Sequence, residues 1–156
     1  MRLTWARDAA ILKYADKALK VVCNVRNELN GLRLLSEKPV YSENEDGSRG
    51  LPYMPRQFPL GTWTVIAIIP KTDPYEAPQF ISTDAHQKVH PWTTQDGHYS
   101  REMDDEIEDY GYGLHNSSSA TTLGCGRIID YKDREDLCAA IQAAWKNGET
   151  VTLEVV

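Results

Sequence analysis

GTWTVIAIIP, residues 61–70, is the stretch that decides the fold class. It is rich in β-branched and aromatic side chains, it follows a Pro-x-Gly turn, and it ends at a proline. Such side chains are enriched in strands because they pack well on a pleated surface. We therefore predict a strand over the whole stretch and a sheet around it.

Shorter strand patterns lie on both sides of this segment. The turn-rich stretch YSENEDGSRGLPYMP, residues 41–55, is predicted to be a polar loop, and 26–31 a turn. The segments with strand character are 19–25, 32–37, 79–83, 110–115 ending at His115, 126–130 and 149–156.

Two segments have helical spacing. Residues 133–148, DREDLCAAIQAAWKNG, have acidic residues in the first turn and Lys146 before Gly148, and Asp133 is the predicted N-cap. Residues 5–20 carry alanines and leucines at roughly helical intervals and are predicted as a short helix. The chain is therefore predicted to be mainly β, of the α+β type, with one well-defined C-terminal helix against a sheet.

Length, charge and hydrophobic pattern limit the class of protein and the molecules that it can bind. The 156 residues suit a single domain, and the net charge of −6 disfavours nucleic acid. The densest charged run, 101–109, is acidic. No stretch approaches the length of a membrane helix, and the first thirty residues do not resemble a secretion signal. We expect a protein that is used where it is made or exported without a classical signal.

The three cysteines occupy different settings. Cys23 follows an apolar strand and Cys138 lies on the inner side of the helix, so both are expected to be buried and unreactive. Cys125 lies between two glycines, outside any apolar run. No Cys-x-x-Cys pair occurs, which disfavours a zinc ribbon.

The setting of Cys125 suits nucleophilic chemistry. His115 lies ten positions upstream, enough for a strand end, a loop and a return, so its ring can activate the thiol. Gly124 and Gly126 allow a sharp turn and leave backbone N–H groups uncovered, as an oxyanion hole requires. The serines and threonines of 117–122 can orient the loop or bind substrate. The alternative is that the Cys and the His are both structural.

The stretch HNSSSATTLGCGR, residues 115–127, resembles the active-site signature of the L,D-transpeptidase (YkuD-like) catalytic domain, a histidine followed by Ser/Thr-x-Gly-Cys-x-Arg. FPLGTWTV, residues 58–65, and the closing helix and strand are also similar to the family. The resemblance covers roughly residues 19–156 of a single domain, which leaves 1–18 as an N-terminal extension. Leu123 stands where the family has a second histidine, and the compact loop resembles small phage-associated domains.

The resemblance implies a β-sandwich and an enzyme that acts on peptidoglycan stem peptides, as an L,D-transpeptidase or L,D-carboxypeptidase without a cofactor. Cys125 is then the nucleophile and His115 the base, Asn116 holds the His115 ring through its backbone carbonyl, and Gly124 shapes the oxyanion hole. Arg127 either pairs with a substrate carboxylate or braces the loop. The other residues expected to contact substrate are Thr122, Ser119 and Tyr112.

An alternative to the enzyme stays open. The chain could be a phage or secretion-system component that binds cell wall without turnover. In either role a phage or a dedicated secretion machine would deliver it to the periplasm or cell wall.

His86 and His90 have the spacing of metal ligands on a helix, but Pro91 and the surrounding turn residues disfavour a helix. We therefore expect no metal site there.

Overall fold

The computed structural model describes residues 1–23, 39–70, 76–117 and 124–156, and within them the chain is mainly β. Among the described residues, one helix follows thirteen of fourteen strands. The elements are β1 (Arg2–Ala6), β2 (Ile11–Tyr14), β3 (Lys17–Val22), β4 (Val40–Glu43), β5 (Arg49–Tyr53), β6 (Gly61–Pro70), β7 (Glu76–Thr83), β8 (Gln87–Val89), β9 (Trp92–Gln95), β10 (His98–Glu102), β11 (Ile107–Asp109), β12 (Gly113–Ser117), β13 (Gly126–Ile128), α1 (Tyr131–Lys146) and β14 (Thr152–Val155).

Eight strands close into a barrel in the order β1-β14-β6-β7-β12-β13-β3-β2. The pairs β1–β14 and β12–β13 are parallel, and the other neighbours are antiparallel. The predicted mainly β class is confirmed. The strands do not form two separate sheets, because β1 pairs with both β2 and β14 and so closes the barrel.

The predicted helix over residues 5–20 is wrong. These residues form the end of β1, all of β2 and the first part of β3. Buried and exposed side chains alternate along β2, the pattern of a strand with one face toward a core. Ala10 and Ala15 have φ angles of 58° and 50° in the turns that flank β2. The segment 1–18, predicted as an extension, thus supplies barrel strands.

The predicted loop over residues 41–55 is also wrong in part. Residues 40–53 form the β4–β5 hairpin, which lies outside the barrel. Its turn is fixed by Asp46, whose carboxylate accepts hydrogen bonds from the Ser48 backbone N–H at 2.9 Å and from the Ser48 hydroxyl at 2.5 Å. Turn residues at its tip were correctly recognised, but the short polar strands beside them were not.

The other predicted strands are confirmed where the structure describes them. The prediction over 61–70 coincides with β6, and β7, β12, β13 and β14 each overlap a predicted segment. The strand predicted at 110–115 begins later and continues past His115 to Ser117. The predicted turn 26–31 and the predicted strand 32–37 lie outside the described residues.

Helix α1 begins at Tyr131, and its N-cap is Asp130 rather than the predicted Asp133. The Asp130 carboxylate accepts from the Asp133 backbone N–H at 3.0 Å. The buried face of the helix includes Leu137, Cys138, Ile141 and Ala144, which join the barrel core. Among the described residues, no helix is long and apolar enough to cross a membrane.

The barrel interior packs tightly around Trp5, which is fully buried. Its indole N–H donates to the Val21 carbonyl at 3.0 Å. A Cβ on Gly126 would lie 2.8 Å from Trp5 Cη2 and 2.5 Å from Leu114 Cδ2. The start of β13 therefore needs a residue without a side chain, and this close approach fixes the strand that follows Cys125.

The N-cap assignment gives a stability prediction. Asp130→Ala is expected to lower the free energy of unfolding by about 1 kcal/mol, since it removes the hydrogen bond to a helix N–H. Asp133→Ala is expected to cost only about 0.3 kcal/mol, through the lost charge near the helix N-terminus. Asp130→Asn, which can still cap, should stay near wild type in urea unfolding. Equal losses for the two alanine variants would contradict the assignment.

Candidate active site

The parallel pairing of β12 with β13 brings two of the predicted site residues to one face of the barrel. His115 lies opposite Arg127, and Leu114 lies opposite Gly126. Leu114 is buried in the core, and the space beside Gly126 is filled by core side chains. Because side chains alternate along a strand, His115 and Arg127 lie on the outer face. Both are half-buried.

Cys125 directly precedes β13 and is half-buried. It lies two residues before Arg127, which is the register partner of His115. The thiol donates to the Gly111 carbonyl at 3.9 Å. The sequence prediction of a hydrogen bond from the thiol to the His115 ring stays a prediction.

Phe80 supports the His115 ring. The two residues are register partners on β7 and β12. Their rings stack with centroids 5.9 Å apart and planes inclined by 27°. An aromatic partner of this kind restricts the rotation of the imidazole, so the ring is held on the outer face of β12.

Gly124 has a φ angle of 121°, which side-chain-bearing residues rarely adopt. A Cβ at this position would also lie 2.8 Å from the Arg56 carbonyl oxygen and 2.9 Å from Tyr112 Cε1. Both backbone conformation and space therefore require glycine. The predicted sharp turn before Cys125 is present, and it is built against neighbouring backbone.

Tyr112 lies beneath this turn and is only 2% exposed. It was predicted to contact substrate, which its burial contradicts. Its hydroxyl donates at 2.6 Å to the buried Asp109 carboxylate, which also accepts from the Tyr53 hydroxyl at 2.5 Å and the Glu43 backbone N–H at 2.8 Å. Burial, reinforced by the Asp109 charge, raises the pKa of Tyr112 well above its usual range. Tyr112 therefore stays protonated as a donor.

The irregular segment 56–59 runs along the other side of the turn, and its carbonyl groups are bound by distant side chains. The Phe58 carbonyl accepts from the Arg7 guanidinium at 2.7 Å, and the Gln57 carbonyl from the Gln87 amide at 2.8 Å. The Phe58 ring packs edge-on against Trp5 and Tyr112. These hydrogen bonds and ring contacts hold the irregular segment in place by satisfying backbone carbonyls that have no strand partner.

The remaining predicted residues separate into two groups. The Asn116 side chain donates to the Ile128 carbonyl at 2.6 Å and to the Ile129 carbonyl at 3.2 Å, so it braces β12 against the end of β13. The role predicted for its backbone carbonyl toward the His115 ring stays a prediction. Thr122 and Ser119 lie outside the described residues.

His86 and His90 flank β8 and are not on a helix. His86 Nδ1 lies 2.9 Å from the Glu108 carboxylate, and its ring stacks on Tyr110 with centroids 5.0 Å apart. His90 Nε2 lies 3.8 Å from Glu106. In the parts of the chain that the structure describes, no group of three or more His, Cys, Asp or Glu side chains is placed to hold a metal ion.

Sequence reasoning missed a second thiol at the site. Cys23 Sγ donates to the Gly124 carbonyl at 3.3 Å and accepts from the Phe58 backbone N–H at the same distance. Cys23 is separated from Gly124 by 101 positions in the chain. No local sequence pattern predicts such a contact, because it depends on the pairing of β3 with β13, which are neighbours in the barrel but far apart in the sequence.

Comparison of the chain with protein-family models, with curated protein sequences and with solved structures finds no match.

The thiol environments predict selective labelling. Cys125 should react first with iodoacetamide in the native protein, since it is half-buried whereas Cys23 and Cys138 are 6% and 2% exposed. Burial also raises the pKa of the Cys138 thiol, which lowers its thiolate fraction near neutral pH. Peptide mapping by mass spectrometry should find one modified cysteine at early times. Equal labelling of Cys138 would contradict the prediction.

Gly124→Ala tests the turn. The unfavourable φ angle and the contacts with Arg56 and Tyr112 are together expected to cost about 2–5 kcal/mol of stability. Gly97→Ala is the matched control, because Gly97 also has a positive φ angle, 77°, but nothing lies within 4 Å of its added Cβ. It should cost only about 1 kcal/mol. Similar chemical unfolding midpoints for the two variants would show that the space around Gly124 is not restrictive.

Proposed function

We propose that this protein is a cysteine acyl-transfer enzyme that acts on peptidoglycan stem peptides, as an L,D-transpeptidase or an L,D-carboxypeptidase. The observation that supports the proposal is the β12–β13 register, which sets His115 opposite Arg127, two residues after Cys125 in the chain. The sequence signature over residues 115–127 supplies the substrate class, by resemblance.

The reaction follows from these side chains. His115 takes the thiol proton, and Cys125 Sγ attacks the carbonyl carbon at the L-centre of diaminopimelate, forming a tetrahedral intermediate. The intermediate collapses to a thioester, and the terminal D-alanine leaves with the proton from His115 as a neutral amine. An incoming amine or water then attacks the thioester and restores the thiol. The first acceptor gives transpeptidation, and the second gives carboxypeptidation.

The surroundings of the thiol support this chemistry. Gly124 and Gly126 have no side chains of their own that could cover the backbone N–H groups beside Cys125, as stabilisation of an oxyanion requires. Arg127 lies on the same face as His115 and can pair with a carboxylate of the stem peptide. The Phe80 ring limits the positions of the base.

The proposal depends on the site rather than on the fold. The family resemblance implies a β-sandwich, whereas eight strands of this chain close into a barrel. The proposal therefore rests on the residues that carry the chemistry and not on an L,D-transpeptidase-like sandwich. Since peptidoglycan lies outside the cytoplasmic membrane, the proposed place of action is the periplasm or cell wall, after delivery by a phage or a secretion machine.

The test is release or exchange of the terminal D-alanine from a tetrapeptide muropeptide, followed by liquid chromatography and mass spectrometry. Cys125→Ala is expected to lower the rate by about a thousandfold or more, and His115→Ala nearly as much. The double variant should be no slower than Cys125→Ala, because the two residues act as a unit. Cys138→Ala serves as the control, since its thiol is buried on α1, and it should keep the wild-type rate.

Two results would count against the proposal. The first is a wild-type protein that turns over neither tetrapeptide nor pentapeptide muropeptides. The second is an unchanged product profile in Cys125→Ala. If the protein nevertheless sediments with purified peptidoglycan, and Cys125→Ala does so equally, the alternative of a cell-wall-binding component without turnover is favoured.

A further inference from the structure

Cys23 forms a hydrogen-bonded bridge inside the barrel. Its sulfur accepts from the Phe58 backbone N–H and donates to the Gly124 carbonyl, each at 3.3 Å. The residue follows β3 and lies on the same face as Val21, which is fully buried. The thiol thus connects the irregular segment 56–59 to the turn that carries the candidate nucleophile.

The bridge determines how the next peptide group is oriented. In a trans peptide the C=O and the following N–H point in opposite directions, and the structure has no cis peptide among its described residues. The Gly124 carbonyl points toward the buried Cys23 sulfur. The Cys125 N–H must therefore point away from the Cys23 sulfur.

We propose that Cys23 is a positioning residue that aims the Cys125 backbone N–H as an oxyanion donor. This inference rests on the proposed acyl-transfer function, and it adds a residue outside the motif to the site. An oxyanion donor is effective only if it is already oriented when charge develops on the carbonyl oxygen. Cys23 supplies that orientation because it binds the carbonyl at the other end of the same peptide.

A purely structural role is the competing explanation, since free cysteines are commonly buried as small apolar residues. The two roles differ in what each kind of reaction at Cys125 needs. If Cys23 acted by packing alone, its removal would change all reactions of the Cys125 thiol alike, through the folding of the protein or the access of reagents to that thiol. An oxyanion donor affects only reactions that pass through a tetrahedral oxyanion.

Two reagents separate these effects at the same thiol. With p-nitrophenyl acetate, the Cys125 thiolate attacks the ester carbonyl, p-nitrophenolate leaves and a thioester forms, so the path includes an oxyanion. With iodoacetamide, the thiolate displaces iodide at a saturated carbon, and no oxyanion forms. The ratio of the acylation rate to the alkylation rate therefore reports on oxyanion stabilisation, independently of thiolate fraction and access.

The experiment measures this ratio at Cys125 by peptide mapping and by p-nitrophenolate release, with Cys125→Ala used to subtract reaction elsewhere. Cys23→Ala is expected to lower the ratio about tenfold to a hundredfold, less than or comparable to the loss of one whole oxyanion donor. Cys23→Ser can still accept from Phe58 and donate to Gly124, so its ratio should return to within about threefold of wild type. Cys138→Ala, which removes the other buried thiol, on α1, should leave the ratio unchanged.

Each variant is first checked for folding by circular dichroism. If Cys23→Ala does not fold, Cys23→Val makes the same test, because it fills the space and lacks a hydrogen-bonding atom. An unchanged ratio, an equal fall in Cys138→Ala, or no rescue by Cys23→Ser overturns the proposal. So does a wild-type Cys125 that is alkylated but not acylated.

The outcome is separable from that of the proposed function. If the wild-type protein turns over no muropeptide but the ratio falls in Cys23→Ala and recovers in Cys23→Ser, the substrate assignment fails and the positioning role stands. If muropeptides are turned over and the ratio does not depend on Cys23, the enzyme assignment stands and the positioning role fails.

Discussion

The parallel pairing of β12 with β13 is the constraint on which the candidate site depends. Two consecutive strands can pair in parallel only if the chain between them runs back to the end at which the first strand began. Such connections usually take a dozen or more residues. Here only eight residues, 118–125, separate the two strands. Gly124, near the end of this connection, has a φ angle of 121°, which turns the chain before it enters β13.

Side chains of the interior stabilise this turn. Tyr112 lies under Gly124 and donates to Asp109, a carboxylate that is 2% exposed. A buried charge is costly unless it is hydrogen-bonded, and Asp109 has three donors: two tyrosine hydroxyls and a backbone N–H from the end of β4. The β4–β5 hairpin therefore contributes to the site although it lies outside the barrel. Removal of either tyrosine would leave the carboxylate short of a donor as well as opening space below the turn.

The sequence allowed the regular parts of this architecture to be predicted, and it failed for specific physical reasons elsewhere. Strand β6 was predicted in full because β-branched residues dominate it. The helix over residues 5–20 was wrong because Ala9, Ala10 and Ala15 carry helical propensity but lie in or beside tight turns. Within the site, the motif located Cys125 and His115 but not Cys23 or Phe80, and Tyr112 was assigned to the substrate rather than to the support of the turn. Cys23 and Phe80 act through contacts between segments that are far apart in sequence, which the strand register reveals.

The three cysteines show how one chemical group takes different roles according to its surroundings. Cys138 is held in the apolar contact between α1 and the barrel, where burial raises its pKa and keeps it neutral. Cys23 is also buried, but it lies between a backbone donor and a backbone acceptor, and there a weakly polar thiol can both accept and donate. Cys125 lies at the barrel surface beside a turn that has no room for a side chain. The feature that distinguishes the candidate nucleophile is thus the backbone before it, since Gly124 adopts a φ angle of 121° and its carbonyl is bound by the buried Cys23 thiol.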